Sequence, residues 1–297
     1  TIFAAHLDTV FPAEQAIQIV HDEPRGLIRA PGIGDNSLGV AGLVHLARVL
    51  AHTAPSSPIV LAATVGEEGL GDLRGAKALL ESTECGAFVA VEGSMIDSIK
   101  IAGVGSTRFR VTYRGPGGHS WSDRGTASAI HGLLEAAARF LAAPAPPGLA
   151  RNIGTIDGGT SINTIAAHAT LEVDLRSEDS ATLAGGEESA REAFEHPGAG
   201  LIAEVETLGR RPSGAIDIDH ALLSAARRAR QVAGLPPAAE GASSTDANAA
   251  YGRDIPAITV GLTVGGNAHR VDEYIELAPL EKGLAALEHL VQEIAQS

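Results

Sequence analysis

Apolar residues along this chain follow two patterns, and the change from one to the other divides it. Up to about residue 103, unbroken apolar runs alternate with stretches of helical spacing. Residues 1–10 (TIFAAHLDTV), 58–65 (PIVLAATV) and 86–93 (GAFVAVEG) are apolar almost throughout, as strands covered on both faces are. Between them, residues 37–52 (SLGVAGLVHLARVLAH) put Leu38, Gly42, Leu46 and Val49 on one helical face after the turn GIGDN, and GDLRGAKALLES predicts a second helix. Such alternation predicts a mostly parallel sheet with helices on its faces.

From about residue 104 the pattern has a period of two. STRFRVTYRG (106–115) alternates inward and outward positions, as a half-exposed strand does. A helix over 126–142 stopped by PAPPG, strands over 151–157 and 168–176, a helix over 180–194 and a strand over 201–209 complete a β-α-β-β-α-β order. That order is the ferredoxin-like unit. RRPSG (210–214) then returns the chain to longer segments: HALLSAARRARQVAG, AITVGL and a last helix over 279–296. The expected organisation is an α/β domain (1–103 plus 213–297) interrupted by an inserted α+β domain (104–212).

Composition narrows the classes of function. The 297 residues are 44% hydrophobic, enough for real cores. With 36 acidic against 22 basic residues, the net charge of −14 and the lack of a basic stripe argue against a nucleic-acid partner. No run approaches the ~20 apolar residues of a membrane span, and no signal peptide opens the chain, so a cytoplasmic protein without a membrane partner is expected. The single cysteine, Cys85, rules out an internal disulfide and a thiolate-built metal site. The chain starts at Thr1 and enters a strand at once, from which a missing N-terminal portion is expected.

Candidate chemistry gathers where the parallel strands are expected to end, the edge at which open α/β sheets build their sites. His6 and Asp8 are two apart on one strand, so both side chains are expected to point the same way, which suits a metal ligand and a carboxylate that orients its imidazole. Asp35 lies in GIGDNSLG, where an N-cap is the plainer use. Glu67 and Glu68 follow an apolar strand; adjacent side chains diverge, so one can meet a metal and the other a substrate. Glu92 ends the next strand, and His269 lies in the loop GGNAHRVDEY. Each alone reads equally well as a cap, a turn or a surface loop. Together they make imidazole and carboxylate donors without thiolate, a set that suits Zn²⁺, with Co²⁺ or Mn²⁺ as alternatives, and two such ions side by side form a known hydrolytic arrangement.

The stretches AHLDTVFP, GIGDNSLGVAGL, VGEEGLGDLRGAK, VEGS, GPGGHSW, INTIAAHATLEVDLRS and GGNAHRVDEYIEL resemble the dinuclear-zinc metallopeptidase family twenty. That family takes in acetylornithine deacetylase, succinyl-diaminopimelate desuccinylase, glutamate carboxypeptidase and peptidase T. The resemblance implies a zinc-binding catalytic domain interrupted by a dimerising lid. It implies two Zn²⁺ per chain, one held by His6 and Glu92 and one by Glu68 and His269. Asp35 would bridge them, with a cis peptide following it, and Asp8 would stand behind His6. By the same resemblance Glu67 is the general base, and His119 reaches into the partner subunit's site to stabilise the oxyanion. Asn163 and Arg176 grip the substrate's carboxylate. Read without it, these last three are a turn His, a turn Asn and a strand Arg in a surface ion pair. The implied activity is hydrolysis of an amide bond beside a free carboxylate. An exopeptidase on short peptides, working as a homodimer, comes first, and an N-acyl-amino-acid deacylase second. A non-catalytic metal-binding or scaffold protein is the reading from another class.

Overall fold

The computed structural model describes residues 1–52 and 55–296. The chain forms two compact units, Thr1–Gly103 with Pro212–Ser297, and Val104–Arg211. In chain order the first unit begins with β1 (Ile2–His6), α1 (Leu38–Leu50), β2 (Val60–Thr64), α2 (Arg74–Ser82), β3 (Phe88–Glu92) and β4 (Ser98–Gly103). The second contains β5 (Gly105–Arg114), α3 (Ala129–Ala142), β6 (Ala150–Gly158), β7 (His168–Ser177), α4 (Ser180–Phe194) and β8 (Ile202–Arg211). The first unit resumes with α5 (Ala221–Val232), β9 (Ala239–Ser243), β10 (Ala257–Gly261) and α6 (Leu280–Gln296).

The large sheet of the first unit runs β4-β10-β3-β1-β2, with β9 beside β4. β2, β1, β3 and β10 are mutually parallel and β4 runs antiparallel to β10. Every residue of β1 and of β3 is buried, so their alternation is hidden in composition and appears only in what each residue touches. Phe3, Ala5, Val89 and Val91 pack with Leu43, Leu46, Leu223 and Leu290 of α1, α5 and α6. Ile2, Ala4, Phe88 and Ala90 pack on the other face with Ala76 and Leu80 of α2 and with the short helix Ala247–Tyr251. Helix α1 lies close to β3: a Cβ at Gly39 would stand 2.5 Å from the Val91 carbonyl oxygen. The parallel strands end along one edge, where His6 and Glu92 are their last residues.

In the second unit the strand order is β8-β5-β7-β6, all antiparallel. Numbered within the unit this is 4-1-3-2, which crosses as a ferredoxin-like unit does. Phe109, Val111, Tyr113, Leu171, Val173 and Leu175 face Leu133, Phe140 and Phe194 of α3 and α4. The opposite face carries directly opposed pairs, Arg110 with Glu172 at 2.8 Å and Arg108 with Asp174 at 3.1 Å. The expected α/β sheet and ferredoxin-like insert are therefore both present.

The structure also holds what the apolar pattern did not predict: a small antiparallel sheet of Val20–Asp22, Leu27–Arg29, Gly265–Gly266 and Tyr274–Glu276. It clamps together the two loops that carry Asp35 and His269. Strand β1 stops at His6, shorter than the apolar run. Among the described residues no helix is long and apolar enough to cross a membrane.

Candidate metal centre

His6 ends β1 and is buried, 2% exposed. Its Nδ1 lies 2.8 Å from the backbone carbonyl of Asp8. A carbonyl only accepts, so Nδ1 carries the hydrogen and a neutral ring presents the Nε2 lone pair. That Nε2 faces Asp35 Oδ1 at 3.1 Å and Glu92 Oε2 at 3.8 Å. The other oxygen of Asp35, Oδ2, lies 3.1 Å from His269 Nε2, which is also 3.5 Å from Glu68 Oε1. Two triads result, His6/Asp35/Glu92 and Asp35/Glu68/His269, each with its donor atoms within 4.8 Å of one another. Asp35 belongs to both and turns one oxygen to each.

The electrostatics describe a centre short of positive charge. Burial opposes a charge on His6, yet the hydrogen bond to Asp35 and the fields of Glu92 and Glu67 raise its pKa to about 10. Burial pushes Glu92 well above the usual carboxylate range, and Asp35, Glu67 and Asp246 push the same way. Burial also raises Glu68, helped by Asp35. For Asp35 burial is outweighed by the His6 hydrogen bond and charge, and its pKa falls. Oε1 of Glu68 is buried without a hydrogen-bond partner. An orphaned carboxylate oxygen aimed at an imidazole, beside a carboxylate shared by two histidines, fits divalent cations in both triads. The donors are nitrogen and oxygen only, as Zn²⁺, Co²⁺ and Mn²⁺ accept.

The carboxylate of Asp8 lies on the Nδ1 side of His6 but is not its hydrogen-bond partner: Oδ1 is 3.9 Å from Nδ1, which meets the Asp8 backbone carbonyl. Instead it accepts the amides of Gly66 (2.8 Å), Glu67 (3.2 Å) and Glu68 (2.9 Å). The alternation of side chains ends with the strand at His6, so the two-residue spacing no longer fixes where Asp8 points. Its carboxylate sets the turn after β2, where Gly66 has φ +77°. Glu67 is buried and belongs to neither triad, but its charge acts on both His6 and Glu92.

Two residues of this centre were not found in the sequence. Asn36, buried, donates from Nδ2 to the Val91 carbonyl (2.9 Å) and accepts the amides of Gly39 (3.1 Å) and Gly93 (2.9 Å). It follows a cis peptide at Asp35–Asn36. Glu273 accepts three amides of the Asp35 turn, and burial raises its pKa against them. A polar residue in a polar loop leaves no periodic trace; only the proximity of Asn36 to Asp35 and of Glu273 to His269 marks them.

The remaining candidates lie in the second unit. Gly118–His119 pairs antiparallel with Thr164–Ile165, and Ser120 N donates to the Asn163 carbonyl (3.0 Å), so His119 and Asn163 are neighbours. His119 Nδ1 accepts the amides of Trp121 and Ser122 (3.2 and 3.3 Å), which places the ring hydrogen on Nε2. Arg176 sits near the far end of β7 and donates from Nε to Asp174 (2.7 Å). Its terminal nitrogens make no hydrogen bond among the described residues.

Known proteins resemble this chain in sequence and in fold. A protein named "Probable carboxypeptidase" of Aspergillus clavatus is 30% identical over 205 residues, 59% of this chain, and the matched stretch spans 44% of that protein. The fold is that of the aminopeptidase PepT of Bacillus cereus (TM-score 0.78, 25% identity, 99% of this chain and 80% of that one). It is also that of a tripeptidase of Staphylococcus aureus (TM-score 0.80, 21% identity, again 99% and 80%) and of the di-peptidase Dug1p of Saccharomyces cerevisiae (TM-score 0.69, 14% identity, 100% and 80%). The sequence profile of Peptidase family M20/M25/M40 matches residues 2–293, and the chain belongs to that family.

Proposed function

We propose that this chain is a two-metal exopeptidase that cleaves the amide bond beside the free carboxylate of short peptides. The observation that carries the reading is the pair of triads sharing Asp35, with Glu67 buried beside them and outside both. His6 and Glu92 would hold one divalent ion, Glu68 and His269 the other, and Asp35 would contribute an oxygen to each. When bound, such ions polarise the scissile carbonyl and lower the pKa of water.

The chain's own residues divide the remaining work. Glu67 takes a proton from the attacking water and returns it to the leaving nitrogen, which departs as the amine while the carbonyl carbon gains the hydroxyl oxygen. His119, with its ring hydrogen on Nε2, donates to the oxyanion of the tetrahedral species. The terminal nitrogens of Arg176 pair with the substrate carboxylate, and Asn163 adds an amide.

His119 and Arg176 cannot serve one short substrate from the same chain. The pairing Arg114↔His168 marks one end of β7 and Ser106↔Arg176 the other, and His119 and Asn163 lie beyond the first. At about 3.4 Å per residue, the eight residues from His168 to Arg176 alone span roughly 27 Å. If both act, they come from different subunits, and a homodimer is the partner proposed.

Hydrolysis of di- and tripeptides and of N-acyl amino acids, with Zn²⁺, Co²⁺ or Mn²⁺ added, tests the reading. Metal-dependent release of amino acids from peptides is expected. Faster cleavage of the N-acyl compounds would make the chain a deacylase. Metal binding without turnover of either class would make it a non-catalytic protein.

A further inference from the structure

Two carboxylates of the centre point away from both triads and grip backbone amides instead. Asp8 does so on the turn that carries Glu67 and Glu68, and Glu273 on the turn that carries Asp35. The second bears further weight, because Asp35 is the one residue on which both triads depend.

Glu273 is 2% exposed, and no lysine, arginine or histidine pairs with it among the described residues. Its charge is met by amides alone. Oε2 accepts from Gly32 (2.9 Å), and Oε1 accepts from Gly34 and from Asp35 itself (2.8 Å each). Its backbone continues the grip: the Glu273 carbonyl accepts the Ala30 amide (3.0 Å), and the Glu273 amide donates to Arg270 (3.1 Å). Four hydrogen bonds thus run from the 30–35 segment to one residue, which stands four positions after His269. Successive amides turned inward in this way make an anion-binding nest, here filled by a side chain of the same protein.

The glycines of GIGDN make the nest. Gly32 has φ +70°, which turns its amide inward. A Cβ at Gly34 would lie 2.9 Å from Glu273 Oε1, so a side chain there would push the carboxylate away. Meanwhile both oxygens of Asp35 are committed to the two histidines. The placement of that carboxylate must come from its backbone, and Glu273 holds the backbone at the Asp35 amide.

We propose that Glu273 is a positioning residue: it fixes the bridging Asp35 between the two triads and ties that turn to the loop bearing His269. This rests on the two-metal reading. Its absence would not unfold the sheet, whose cores lie elsewhere, but would loosen the geometry on which both ions depend.

Glu273→Gln is the direct test. The change keeps the volume, replaces one acceptor oxygen by an NH₂ and sets donors against donors. Binding of Zn²⁺ and Co²⁺ by the purified protein is expected to weaken about 10- to 100-fold, the range for groups that orient ligands. At saturating Co²⁺ the visible ligand-field spectrum should shift, which a loss of general stability would not cause. Gly34→Ala, with Glu273 intact, should reproduce both effects by displacing the carboxylate, and it serves if Glu273→Gln does not fold. Wild-type affinity and an unchanged cobalt spectrum in the folded variants would overturn the proposal while leaving the two-metal reading in place. Failure of the wild-type protein to bind metal would overturn that reading first.

Discussion

The two triads share Asp35 and use the same kinds of donor, yet they are built differently. His6 and Glu92 are the last residues of adjacent parallel strands and are buried by the packing of the whole sheet. His269, 55% exposed, hangs from a loop with φ +65°, and Glu68 from the turn that Asp8 holds. One triad is a product of the fold; the other is assembled from loops held by hydrogen-bonded carboxylates. The difference teaches where rigidity must be supplied: a strand end inherits it from the core, whereas a loop ligand needs Asp8 and Glu273.

The contrast should be sharpest in stability. Without metal, His6 faces Asp35 and Glu92 as a buried cation, so His6→Ala leaves carboxylates uncompensated and should cost about 3–5 kcal/mol. His269→Ala removes an exposed partner and should cost at most ~1 kcal/mol. Chemical denaturation of the metal-free proteins would show it, and equal losses would break the distinction. The sign with pH follows. The pKa of His6 is raised from 6.5 to about 10, so its contribution is fully present below pH 6.5 and is lost as pH rises through about 10. The melting temperature of metal-free wild type should fall across that window, and that of His6→Ala should fall less.

The adjacent acids divide along the same line. Glu67→Gln should lower kcat at least ~100-fold, the lower end for general acid–base catalysis, with metal content unchanged. Glu68→Gln should weaken metal binding in the loop-built triad. If Glu67→Gln loses metal and keeps its activity at saturating metal, the two acids have exchanged roles.

A smaller effect on affinity comes with the substrate. Arg176→Ala should raise KM for peptides with a free carboxylate over their amidated forms by roughly 10- to 150-fold, the value of a charge-assisted hydrogen bond of about 1.5–3 kcal/mol. An equal change on both would leave Arg176 as the partner of Asp174 alone. Last, an ion entering the strand-built triad at pH 7 must displace the His6 proton, so protons should be released on binding, with His6 among their sources. Calorimetry in buffers of different ionisation enthalpy should find a larger release in His269→Ala than in His6→Ala.

Much of this was legible in the sequence, for reasons that can be stated residue by residue. IFAA and FVAV are apolar at every position because both faces of their strands are covered, and STRFRVTYR alternates because one face of its sheet carries Arg108 and Arg110 in ion pairs. His6 and Glu92 stood out because a polar residue ending an apolar run is conspicuous. Asp8 was legible as a residue but not in its contacts, since it lies past the strand end that fixes direction. Asn36, Glu273 and the small sheet around Leu27–Arg29 and Tyr274–Glu276 were not legible. Glu273 and the small sheet owe their order to partners more than two hundred positions away, and Asn36 to Val91 and Gly93 more than fifty away, which no local pattern encodes.

The strand order has a consequence for how the protein is made. β3 and β4 are consecutive in the chain, yet β10 lies between them, and it is encoded after the whole inserted unit. At roughly 5–20 residues per second of synthesis, the 177 residues from Glu92 to His269 take about 9–35 s to appear. During that interval β3 waits on the ribosome with one edge open and its terminal glutamate without the second histidine. The inserted unit, contiguous in sequence, can fold as it emerges. Order of manufacture thus reverses order of numbering: the insert is finished first, and the centre around Asp35 is among the last places on the molecule to exist.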